Sequence, residues 1–85
     1  MSWHEVVFER GTCHIHVTES VSPFGAPVFV ARMFLVSDDG ASQTDIRGNA
    51  GSAEVHAPSE ALAISSAVSF LQGKLGALAE YAHGI

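Results

Sequence analysis

Residues 59–82 read SEALAISSAVSFLQGKLGALAEYA, and the placement of apolar side chains in this stretch decides the fold. Ile64, Val68, Leu71, Leu75, Leu78 and Ala82 follow one another at spacings of four, three, four, three and four. That pattern lines them along one stripe of an α-helix. Pro58 and Ser59 mark its start, because Pro suits a first helical turn and Ser caps the free N–H groups. Glu60 at the positive end of the helix is favourable. Gly73 and Gly76 each cost ~1 kcal/mol against Ala in a helix interior. The stripe nevertheless runs through both, so the spacing predicts one helix over about 59–82. The alternative ends it at Gly73, since Gly also terminates helices.

Upstream the period changes from helical to alternating. His4, Val6 and Phe8 alternate with Trp3, Glu5, Val7 and Glu9, and Cys13, Ile15 and Val17 alternate with Thr12, His14, His16 and Thr18. Arg10-Gly11 lies between the two runs as a tight turn, with Gly expected to supply a positive φ. The runs therefore read as a β-hairpin. A two-residue turn there pairs Phe8 with Cys13, Val6 with Ile15 and His4 with Val17, all on one apolar face.

Residues 20–27 (SVSPFGAP) form a loop broken by two prolines and a glycine. Residues 28–36 (VFVARMFLV) are apolar on both faces apart from Arg32 and read as a central strand. From about 38 to 52 the chain is polar and Gly-rich, and is expected to be a mobile loop. Residues 53–57 (AEVHA) could supply a short fourth strand. The expected fold is α+β: one domain spanning 1–85, with a small antiparallel sheet of three to four strands (3–57) followed by one long C-terminal helix packed on one face.

Composition narrows the function classes. The 85 residues are 47% hydrophobic and only 15% charged, with positive mean hydropathy. So small a domain buries only ~60% of its unfolded surface. An apolar excess therefore points to a covered face, in a homo-oligomer or against a protein partner. The net charge of −5, with Arg10, Arg32, Arg47 and Lys74 scattered, makes nucleic acid an unfavoured partner, since phosphate binding relies on clustered Lys and Arg. Cys13 is the only cysteine, which excludes an internal disulfide and suits a reducing compartment. The N-terminus, with Glu5 and Glu9, does not resemble a signal peptide, and no apolar run is long enough to cross a membrane. The expectation is a cytoplasmic protein without a membrane association.

Three sets of residues could carry chemistry. If Phe29, Ala31, Met33 and Leu35 face the core, Val30, Arg32 and Phe34 join Trp3 and Val7 on the outer sheet face. Those five residues are of the types enriched at protein interfaces. His14 and His16, two apart on a strand, share that face with Glu5, expected opposite His16. Two imidazoles and a carboxylate are three potential zinc ligands, and solvent-facing histidines beside threonines are the plainer assignment. Cys13 falls on the core face, where a thiol is unreactive. No nucleophile elbow or EF-hand spacing is present, so the sequence is read as non-enzymatic and without a cofactor.

The strand–strand–strand–helix order resembles the partial double-stranded-RNA-binding fold of HicB-type antitoxins. The helix entry Ala57-Pro58-Ser59-Glu60-Ala61-Leu62 is similar to the T-x-x-E-A-L entry of that group. The Gly48-Asn49-Ala50-Gly51 loop and the missing proline-rich segment depart from it. The resemblance implies a regulatory, antitoxin-like or nucleic-acid-binding module, the alternative to a self-associating interaction module.

Overall fold

The computed structural model describes residues 2–48 and 51–83. In chain order it contains β1 (Ser2–Phe8), β2 (Gly11–Val21), β3 (Pro27–Val36), β4 (Gln43–Asp45), β5 (Arg47–Gly48), β6 (Gly51–Ser52), β7 (Glu54–Ala57), α1 (Glu60–Leu75) and β8 (Leu78–His83). The α+β class and the antiparallel sheet stand as expected. The sheet is larger than expected, with six strands in place of three or four, ordered β4-β3-β2-β1-β8 with β7 also on β3. β4 and β7 share one edge of β3, opposite Phe34–Val36 and Phe29–Arg32 respectively.

The predicted helix over 59–82 is too long. Ser59 caps it as expected, accepting a hydrogen bond from the Leu62 N–H at 3.2 Å. The helix runs through Gly73 and stops at Gly76, whose φ of 86° is costly for residues with a side chain. The chain then turns back as β8, antiparallel to the free edge of β1, with Val6 opposite Tyr81. The hairpin tip fastens this helix end. Arg10 donates its backbone N–H to Leu75 O at 3.0 Å and its guanidinium to Lys74 O at 3.1 Å, and Glu9 N–H reaches Ala77 O. Carbonyls that a helix end leaves without partners are thereby satisfied.

That fastening also corrects the hairpin register. The turn is Glu9-Arg10, and Phe8 pairs with Gly11, Val6 with Cys13 and His4 with Ile15, two residues from the expected partners. Gly11 belongs to β2 and has no positive φ. Its missing Cβ instead makes room for Leu35, whose Cδ1 would lie 3.2 Å from such an atom. A slip of two leaves every side chain on its expected face.

The core lies between α1 and the sheet. Val6, Phe8, Cys13, Ile15, Val17, Ala31 and Met33 meet Ala63, Ala67 and Leu71. The centre line of the helix is thus rotated from the predicted stripe. Ala63 and Ala67 let the helix backbone approach the sheet, and Ile64, Val68 and Leu75 flank it half-buried. The strand over 28–36 has the expected sidedness, with Ala31 and Met33 buried, although Leu35 at its end is 38% exposed.

The expected loop over 38–52 contains structure. β4 joins the sheet, β5 and β6 pair with each other, and Ile46 packs against the core. Its tip, residues 49–50, lies outside the described residues. Short strands of this kind are held by backbone pairing, which side-chain alternation does not register.

Candidate functional site: the outer sheet face

The face opposite the helix is assembled by strand register. One row across the sheet runs Trp3, His16, Arg32, Glu54, and the next runs Glu5, His14, Phe34, Asp45. Val30 stands beside Thr18 and His56, and Val7 beside Thr12. All five expected interface residues, Trp3, Val7, Val30, Arg32 and Phe34, therefore share this face. Among the described residues no element covers it. β4 and β7 add Gln43, Asp45, Glu54 and His56, which sequence reasoning left out because it took no account of what pairs with the far edge of β3.

The rings pack on one another. Trp3 and His14 have centroids 4.9 Å apart, Trp3 and His16 stack at 6.5 Å, and His16 meets the edge of Phe34 at 4.8 Å. The Arg32 guanidinium lies 5.8 Å above the Phe34 ring, within cation–π range. Its nitrogens also face Asp45 at 3.6 Å and Glu54 at 3.8 Å. These exposed pairs add little stability, but they place two carboxylates beside Arg32.

The histidines differ in their surroundings. The Gln43 side-chain amide meets His14 Nδ1 at 2.8 Å, while His14 Nε2 faces Glu5 Oε1 at 3.7 Å. An amide N–H donating to Nδ1 places the ring proton on Nε2, toward the carboxylate. His16 Nε2 is shielded from solvent with no hydrogen-bond partner among the described residues. Burial, and then the neighbouring His14, hold the His16 pKa below its usual value. A small cavity of about 110 Å³ is lined by Trp3, His14, His16 and Gln43.

The expected zinc ligands Glu5, His14 and His16 do share this face. Glu5 stands opposite His14, not His16, because of the two-residue register change. Among the described residues no three His, Cys, Asp or Glu side chains converge in an arrangement that could hold a metal ion. Cys13 is buried in the core, and burial pushes its thiol pKa up to about 11. Among the described residues no helix is long and apolar enough to cross a membrane.

Two features escaped the sequence. Phe24 stands 96% exposed on the β2–β3 turn, where Ser22 Oγ accepts from the backbone of Phe24 and Ala26. Tyr81, expected on the helix, lies on β8 with its hydroxyl 3.1 Å from His4 Nδ1. His4 on the apolar face is thus buried, 8% exposed, with a hydrogen-bond partner in Tyr81.

Comparison with protein-family models, curated proteins and solved structures finds no match to this chain. The strand–strand–strand–helix order on which the resemblance to HicB-type antitoxins rested is not the order found, since β4 to β7 precede the helix and β8 follows it.

Proposed function

We propose that this chain is a non-enzymatic interaction module that pairs with a second copy of itself through the outer sheet face. The observation that carries the reading is the ring-packed surface Trp3–His14–His16–Phe34, which spans three adjacent strands and is half-buried. Aromatic residues and arginine are the usual energetic anchors of interfaces. A second copy is favoured because Arg32 already faces Asp45 and Glu54 within the face, so its charge does not call for an acidic partner. Two identical faces would then pack sheet on sheet.

The area is sufficient for a reversible dimer. Five strand positions about 4.8 Å apart, each contributing roughly 20 Å of strand, give a plane on the order of 500 Å² per copy. Two copies bury about 1,000 Å², the lower bound for a specific interface. The same rings could stack bases, but among the described residues this face offers one arginine, Arg32, which already faces Asp45 and Glu54.

Trp3 is the only tryptophan, so its emission reports this face directly. Dilution is expected to shift the emission to longer wavelength as the ring becomes hydrated. An unchanged spectrum across the concentration range in which the mass changes contradicts this interface. A single-stranded oligonucleotide that moves the emission at low salt, reversed by added salt, replaces self-association with nucleic-acid binding.

A further inference from the structure

The inner face of the sheet is covered unevenly. α1 lies over β3, β7 and β2, with a lighter contact to β1. Because Ala63 and Ala67 face the sheet, the bulkier Ile64 and Val68 lean toward β8. Tyr81 rises from β8 on the same side as Val6. A groove of about 490 Å³ opens between the helix flank and the Tyr81 ring. Ile64 and Val68 form its apolar wall, and Ser65, Ser69 and Gln72 supply two hydroxyls and an amide. The volume lies within the roughly 300–1,000 Å³ typical of small-molecule sites.

The tyrosine wall is held in place by a chain of hydrogen bonds. Tyr81 Oη meets His4 Nδ1 at 3.1 Å, His4 Nε2 meets Ser2 Oγ at 3.4 Å, and Ser2 donates to Glu60 Oε2 at 3.2 Å. A carboxylate only accepts, so the Ser2 hydroxyl hydrogen is committed to Glu60. His4 then donates from Nε2, and Tyr81 donates to Nδ1. His4 is only 8% exposed, which fixes the geometry. Burial, and then the Glu60 charge, raise the Tyr81 pKa, so the hydroxyl stays neutral.

We propose that this groove binds an uncharged amphipathic small molecule, its apolar body between Ile64, Val68 and the Tyr81 ring and its hydroxyl or amide group on Ser65, Ser69 and Gln72. Charge complementarity selects the class. Among the described residues no charged side chain lines the groove, so an ion seated on that lining would lose hydration without a partner there. Glu60, at one end through Ser2, further disfavours an anion.

The test is an NMR titration of the isotope-labelled chain with 2-naphthol, a neutral bicyclic alcohol, against octanoate and octylammonium as charged controls. Saturable shifts are expected at the amides of residues 64–72 and at the Tyr81 ring. Octanoate and octylammonium should each bind at least tenfold more weakly. Ser69→Phe, on the exposed side of the helix, should weaken 2-naphthol at least tenfold by filling the groove. Ser65→Leu provides a second, smaller obstruction with the same expected direction. Trp3, on the opposite face, should not respond, which separates this site from the self-association surface. Absence of saturation, equal binding of a charged control, or shifts unaffected by both obstructions would overturn the proposal. So would groove shifts that follow protein concentration without 2-naphthol, which would assign the groove to a second copy.

Discussion

The two faces of β2 show two different uses of the same alternation. Toward the helix, Cys13, Ile15 and Val17 are at most 1% exposed and have no polar atom to satisfy other than a thiol. Away from it, His14 and His16 are half-buried among aromatic rings, each with nitrogens that need partners. The inner face gains stability from dry packing, which is insensitive to pH and costly to disturb. The outer face keeps ionisable groups and rings at the surface, where they add little to the monomer but can define an interface. Stability and association are thus expected to respond to different substitutions.

The largest effect should come from the inner face. Leu71 is fully buried, and Leu71→Ala should lower unfolding free energy by about 2–5 kcal/mol through lost transfer and a residual cavity. Urea denaturation at a fixed protein concentration reads this directly. A change below about 1 kcal/mol would mean that α1 packs less closely than described.

On the outer face the contrast should appear in reverse. Trp3→Ala and Phe34→Ser should each abolish self-association while lowering the stability of the monomer by less than Leu71→Ala does. Denaturation at concentrations too low for dimer, compared with sedimentation at high concentration, separates the two effects. A Phe34→Ser chain that unfolds outright would remove the distinction between the faces.

pH sharpens the same distinction. The folded-state pKa of His16 lies below its ordinary value of 6.5, so the unfolded chain takes up the proton first. The contribution of His16 is therefore fully present above pH 6.5 and is lost as pH falls through that value toward the depressed folded pKa. Denaturant midpoints should decline over this window, and the decline should be smaller in His16→Gln. Association should weaken in the same window, since a protonated His16 ring would carry a charge that the interface must desolvate. A midpoint that rises on acidification contradicts the burial of the His16 ring.

The smallest effect belongs to a position on neither face. Gly73 lies inside α1, has no positive φ, and a Cβ there would meet nothing within 4 Å. Gly73→Ala should raise stability by about 0.5–1 kcal/mol. Gly76→Ala should do the opposite, because φ is 86° and the new Cβ would collide with the Glu9 carboxylate. Thermal melts of the two variants provide a baseline for the larger effects.

These comparisons also explain what the sequence made legible. Alternation in β1, β2 and β3 sorts residues onto faces, and it put Trp3, Val7, Val30, Arg32 and Phe34 on the face they share. Alternation has a period of two, so it cannot tell Val6–Cys13 from Val6–Ile15. The actual partner was set by Arg10 and Glu9 docking on the helix end, a contact between distant segments. The stretch ALAEYA after Gly76 misled because Leu78 and Ala82 continue a helical spacing while equally fitting a strand. The unpaired edge of β1 decided between them. Gln43, Asp45, Glu54 and His56 were missed for the same reason, since their place follows from which strand reaches the edge of β3.

The central claim is that the open ring-packed face pairs with itself. The most direct test is absolute mass by light scattering after size exclusion, at several concentrations, for the natural chain and for Phe34→Ser. The account predicts a mass approaching twice 8.9 kDa as concentration rises, and a single-chain mass throughout for Phe34→Ser. A single-chain mass for the natural protein at every concentration, or a dimer that survives Phe34→Ser, would contradict it.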